Sequence, residues 1–160
     1  MLKFMRLQID QSGRVEYTSH KTVIAYSNDK HGSVVITAQT KRQIQEIFRR
    51  RGMPKLFTLR TFAATVSLLL AKEGGRIDEV IVDREYPGNE RVLTDMISEI
   101  MRRMGFEAPN ITWAEIGKKS SAHFVAYGVF KNKKQPDKVI SFEELLKWAL
   151  KTKTTEGHKA

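Results

Sequence analysis

The chain has no cysteine. That excludes disulfides, thiolate nucleophiles and cysteine-held zinc, and it fits a reducing compartment. It also lacks a long apolar run. The longest, TFAATVSLLLA over 61–71, falls well short of the roughly 20 residues a spanning helix needs. The opening MLKFMRLQID is too short and too charged for a signal peptide. A cytoplasmic protein that makes no use of a membrane is expected. No P-loop, no dinucleotide glycine motif and no G-x-S-x-G elbow occurs, so those nucleotide and acyl-transfer chemistries have no foothold. There is no internal repeat, low-complexity block or linker. The expectation is a single domain over 1–152, with a disordered tail at 153–160.

Acids are scarce relative to bases. Eighteen Asp and Glu face 28 Lys and Arg, giving a net charge of +10 and a sequence pI near 9.9. Such an excess suits a polyanionic partner, with nucleic acid foremost; a solubilising surface charge is the plainer reading. Abundant Lys, Arg and Glu without Cys is also a thermophile trait. Hydrophobic residues make up 41% of 160, enough for a real core.

Residues 2–10 read as a strand closed by the turn residues Ser12 and Gly13. RVEYTS (14–19) and KTVIAYSN (21–28) read as one long strand or two short ones, and SVVITAQ (33–39) as a β-branched strand. The start is thus an antiparallel meander. The period then changes. Ile44, Ile47 and Phe48 share one helical face within 40–50, and 56–75 reads as a helix apolar nearly all round. IDEVIVD (77–83) is a short apolar strand before the turn EYPG. From Asn89, an expected N-cap, the stripe Val92, Leu93, Met96, Ile97, Ile100, Met101 and Met104 runs to Gly105. That methionine-rich face is core, or else the interface of a homo-oligomer. NITWAEIG (110–117) reads as a strand, 120–131 as a helix capped by Ser120, and 131–138 as a basic loop. Ser141 and Glu144 predict a capping box for a last helix.

Strands followed by helical crossovers predict an α/β fold with a mixed five-stranded sheet, its first three strands antiparallel and helices on both faces. That order resembles the ribonuclease H superfamily, whose core runs three strands, helix, strand, helix, strand, helix. The resemblance covers roughly residues 3–131. IDQSG resembles the first strand of these nucleases, where an aspartate precedes a glycine turn. VIVD resembles their fourth strand, which ends in a second acid. KKSSAHFVAYG resembles the final helix of the Holliday-junction resolvase branch, where an Asp or His faces the site. The resemblance implies a metal-dependent nuclease acting on structured DNA or RNA, with Mg²⁺ or Mn²⁺ as cofactor. It implies Asp10 and Asp83 as metal ligands, with His123 or Glu115 completing the catalytic set. A non-catalytic nucleic-acid-binding or assembly module on the same fold is the alternative.

The chemistry is reasonable for those residue types. Two-metal phosphodiester hydrolysis needs convergent carboxylates, because these hard cations prefer oxygen. Neighbouring strands bring two acids within about 5 Å. Each candidate has a plainer reading as well. Asp10 precedes a turn it could cap. Asp83 could approach a helix or pair with Arg84 or Arg91, and Glu85 is a nearby substitute. His123 could be a partly buried histidine with an ordinary hydrogen bond. Glu46, the acid available in the first helix, reads as a surface charge among bases. For phosphate contact the densest stretch is Lys41, Arg42, Arg49, Arg50, Arg51, Lys55 and Arg60. Lys118, Lys119, Lys131, Lys133 and Lys134 form a second group. A helix-turn-helix forced onto 41–72 fails, because its second helix is too apolar to read a groove.

Overall fold

A computed structural model describes residues 5–74, 77–117 and 120–150. The tail at 153–160 and both Lys118 and Lys119 lie outside the described residues. The elements are strands β1 (Arg6–Ser12), β2 (Thr22–Ser27) and β3 (His31–Ile36), then helices α1 (Ala38–Arg50) and α2 (Phe57–Lys72). Next come β4 (Glu79–Asp83), α3 (Glu90–Arg103), β5 (Asn110–Ala114), α4 (Ser121–Phe130), β6 (Lys138–Val139) and α5 (Phe142–Ala149).

One mixed sheet runs β5-β4-β1-β2-β3-β6. β1, β2 and β3 pair antiparallel, while β4 joins β1, β5 joins β4 and β6 joins β3 in parallel. The sheet therefore has six strands rather than the expected five. The extra one is β6, which starts at Lys138, the last residue of the stretch expected to be a basic loop. Two residues are too few for an alternating pattern. It is fixed by long-range pairing instead: Asp137 N donates to Ser33 O, Ser33 N donates to Asp137 Oδ2, and Ile140 N donates to Val35 O.

The segment 14–19 corrects a second expectation, for it forms turns rather than strand. Tyr17 N donates to Arg14 O and His20 N to Tyr17 O. The carbonyls of Arg14 and Tyr17 also accept from the ammonium of Lys41, at 3.1 and 2.8 Å. They are aimed at a buried cation and are lost to any ladder. Strand β5 likewise stops at Ala114, short of the expected 117, because Ile116 N donates to the Asp83 carboxylate at 2.8 Å.

Alternation along the strands gives the sheet two different faces. Leu7, Ile9, Ile24, Tyr26, Val34, Ile36, Val80 and Val82 join one large cluster with residues of α1, α2, α3 and α5. α2 is its centre; Phe62, Ala63, Val66, Leu69 and Leu70 are at most 1% exposed. Burying one such leucine contributes roughly 1.5–3 kcal/mol. The α3 stripe goes mostly the same way: Leu93, Ile97, Ile100 and Met101 are buried, Met96 and Met104 pack at the edge, and Val92 stays exposed. On the other face Val23, Ala25 and Val35 pack only against α4, through Val125, Ala126 and Val129. No helix among the described residues is long and apolar enough to cross a membrane.

Candidate metal centre on the α4 face

Asp10 belongs to the α4 face. Its neighbours Ile9 and Gln11 point the other way, and across the ladder it faces Ala25, which α4 covers. Because Ile9 pairs with Val82, the next step along both parallel strands brings Asp10 level with Asp83. Glu85 follows just past the end of β4, in a tight turn where Glu85 N donates to Asp83 O at 3.0 Å, and this keeps it beside Asp83. Ligand oxygens of Asp10, Asp83 and Glu85 all lie within 4.8 Å of one another. Three acids from β1, β4 and the segment after β4 thus form one group.

Each acid is also held from behind. Asp10 is 4% exposed; its Oδ1 accepts from Gln11 N at 2.8 Å, and its Oδ2 lies 2.9 Å from His123 Nδ1. Asp83 accepts from Ile116 N. Glu85 has Arg14 Nη1 3.6 Å from its carboxylate, while Arg14 Nη2 donates to its carbonyl at 3.0 Å. Arg14 in turn lies over the ring of Tyr86, 4.9 Å from the centroid, and donates to Glu16 at 2.7 Å. The Tyr86 hydroxyl reaches Gln11 and Glu16, each at 3.3 Å.

Crowding leaves an electrostatic mark. Burial pushes the Glu85 carboxyl up to about 8, helped by its hydrogen bond with Asp83 and the charges of Asp83 and Asp10; Arg14 opposes the shift. Burial also raises Asp10, reinforced by the charge of Asp83, while the Gln11 amide and His123 pull it down. Three carboxylates in one half-buried spot hold more negative charge than their surroundings neutralise. A small divalent cation with oxygen preference fits that donor set, whereas softer metals that favour thiolate or imidazole do not.

His123 is delivered by α4. Ser120 caps that helix, its hydroxyl accepting from His123 N at 3.0 Å. The imidazole stacks on Tyr127, with centroids 5.8 Å apart and planes at 14°. His123 therefore contacts the acid group through Asp10. Phe130, at the end of the same helix, packs with the second core cluster against the turn at Gly13.

Other expected residues fall elsewhere. Glu115 is exposed and stands outside the acid group. Glu46 is a surface charge paired with Arg49 and Arg50. Lys41 is completely buried, with Nζ donating to two carbonyls and to Thr22 Oγ1 at 2.9 Å; it cannot reach a phosphate. Arg60, 6% exposed, donates to Ala149 O and pairs with Glu99, so it fastens α5 to α2. Arg42, Arg49, Arg50, Arg51 and Lys55 are exposed. However, α1 buries Ile44 and Phe48 in the large cluster, across the sheet from the acids. Sequence reasoning treated Glu85 as a mere substitute and missed Arg14. The available signal was the nearness of Glu85 to Asp83 in sequence, within the turn that ends β4.

Comparison with known proteins finds no family model, no curated protein and no solved structure that matches this chain.

Proposed function

We propose that the protein is a divalent-metal-dependent nuclease of ribonuclease H-like architecture, acting on structured DNA or RNA. The convergence of Asp10, Asp83 and Glu85 within 4.8 Å carries this reading. The strand order supports it, because β1 and β4 are the neighbours that the sequence resemblance requires. The charge of +10 supports a polyanionic substrate.

Asp10, Asp83 and Glu85 would hold Mg²⁺ or Mn²⁺. Bound there, the cation would lower the pKa of a water and neutralise charge on the phosphoryl oxygens. The chain's own residues do the rest. Gln11 N and His123 fix the two oxygens of Asp10, and Ile116 N fixes one oxygen of Asp83. Arg14 guards Glu85 and, once that carboxylate turns to a cation, is placed to meet a phosphate. The test is cleavage of duplex, hybrid and branched substrates in Mg²⁺ or Mn²⁺. Wild type cleaves, and Asp10→Asn binds but does not cleave. A pure preparation inert on all three substrates defeats the reading.

One observation favours a second reading. Asp83 and Glu85 already have internal partners, Ile116 N and Arg14, so the acids could serve as a structural polar cluster in a non-catalytic binding or assembly module. That reading predicts salt-sensitive binding unaltered by Asp10→Asn and Asp83→Asn, and no cleavage.

A further inference from the structure

α4 carries no Lys, Arg, Asp or Glu, and its two sides differ sharply. Ala122, Val125, Ala126 and Val129 are buried against the sheet. The outward side presents Phe124 at 60% and Tyr127 at 45% exposure, two large rings three residues apart on one helical surface. Leaving such rings in water forgoes burial that the fold could have used elsewhere.

Their location is specific. The His123 imidazole that touches Asp10 adjoins both, 6.1 Å from the Phe124 ring and stacked on Tyr127. The stripe therefore begins at the acid group and runs down α4. At its far end the Lys131 ammonium lies 5.8 Å from the Tyr127 ring centroid. The turn that follows adds the exposed Lys133 and Lys134.

Flat rings interleaved with ammonium groups match one occupant by chemistry: a nucleic-acid strand whose bases are free to stack. The rings take base faces and the lysines take phosphates. A duplex offers phosphates but hides its base faces in its own stack. A second copy of this chain would set +10 against +10, which disfavours that cover.

We propose that Phe124 and Tyr127 are a stacking platform for unpaired bases, laying the strand's backbone toward Asp10, Asp83 and Glu85. This rests on the nucleic-acid reading above and narrows its substrate to strands unpaired beside the site, such as a flap, bulge, junction arm or single strand.

The test is fluorescence anisotropy in EDTA, with a labelled single-stranded oligonucleotide and a blunt duplex of equal length. Phe124→Ala should weaken single-strand binding about fivefold or more, as loss of one stacked base does, and leave duplex binding within about twofold. Phe124→Trp should keep it, because the ring face remains. Unchanged single-strand affinity in Phe124→Ala overturns the platform. So does an equal loss for single strand and duplex, which would signal charge or folding. A wild-type dimer in sedimentation that Phe124→Ala dissociates also overturns it, because a second copy would then own the face. Since no metal is present, failure of cleavage does not touch this result. A wild type that binds no nucleic acid defeats both readings.

Discussion

His123 Nδ1 lies 2.9 Å from Asp10 Oδ2, across 113 residues of sequence. Helix α4 crosses the sheet to make this contact, and Asp10 there is almost fully buried. With an ionised Asp10, the tautomer carrying hydrogen on Nδ1 donates into the carboxylate. The ring then holds one oxygen in place. Partners of this kind orient metal-binding carboxylates. On the proposed metal-dependent reading, His123→Ala should therefore cut metal affinity, and cleavage with it, by about 10- to 100-fold. His123→Asn should restore much of the loss, because its amide can donate from nearly the position of Nδ1. Manganese titration followed by thermal melting checks this. An Asn variant as poor as Ala would remove the orienting role.

The raised Glu85 carboxyl links metal binding to pH. Its folded pKa of about 8 stands above the ordinary carboxyl value of 4.5. Between those values the folded state keeps a proton that the unfolded chain has released. Stability of the metal-free protein therefore falls as pH rises through this window, and the loss is complete above about 8. A divalent cation needs the ionised carboxylate, so it competes with that proton. The rise in melting temperature on adding Mg²⁺ or Mn²⁺ should be larger at pH 8.5 than at pH 6. Calorimetry near neutral pH should detect protons released on binding. Equal metal-induced shifts at both pH values would contradict the assigned ligand.

Gly13 joins the opening turn to α4. Its φ is +81°, and a Cβ there would sit 2.3 Å from Lys21 O and 2.6 Å from the Phe130 ring. Both the backbone and a packed ring must move to admit a methyl group. Gly13→Ala should cost about 2–5 kcal/mol, from backbone strain together with overpacking. Gly105 provides the control. Its φ is +92°, yet nothing lies within 4 Å of its Cβ position, so Gly105→Ala carries only the backbone term of about 1–2 kcal/mol. Urea melts should rank Gly13→Ala as the less stable variant. Displacing Phe130 also shifts α4, so Gly13→Ala should lower metal affinity while Gly105→Ala does not.

Local signals were the readable ones. Ser120 and Ser141 cap their helices as their spacing implied, accepting from His123 N and Glu144 N. The periodic faces of α1 and α3 and the apolar run of α2 led directly to helices, because each pattern lies within one element. The Asp10–Asp83 meeting needed the order of strands, which came from resemblance. What stayed hidden depends on partners far away in sequence. β6 exists through Ser33 and Val35, the 14–20 turns through Lys41, and the short end of β5 through Asp83. Lys41 and Arg60 looked like surface cations, because a sequence window shows the charge without the carbonyls that bury it.

That distinction between buried and exposed cations is itself testable. Lys41 is wholly enclosed, and burial pulls its ammonium down to about 8 from 10.5, against the attraction of Glu16. Removing it takes the buried donor from Thr22 Oγ1 and one of two donors from each of Arg14 O and Tyr17 O, so Lys41→Met should destabilise the fold by roughly 1–3 kcal/mol. The pH dependence has a definite sign. Between pH 8 and 10.5 the unfolded chain binds a proton on Lys41 that the folded chain has lost, so this group's contribution rises with pH there. Lys41→Met should abolish that rise. If the proposed nucleic-acid reading holds, binding should separate the two kinds of lysine. Lys131 is exposed beside Tyr127, and Lys131→Ala should lower the salt dependence by about one phosphate contact with little change in stability. Lys41→Met should do the reverse, lowering the melting temperature and leaving the slope of log affinity against log salt as it was. A shallower salt slope for Lys41→Met would mean that its ammonium reaches a phosphate, which the enclosed geometry forbids.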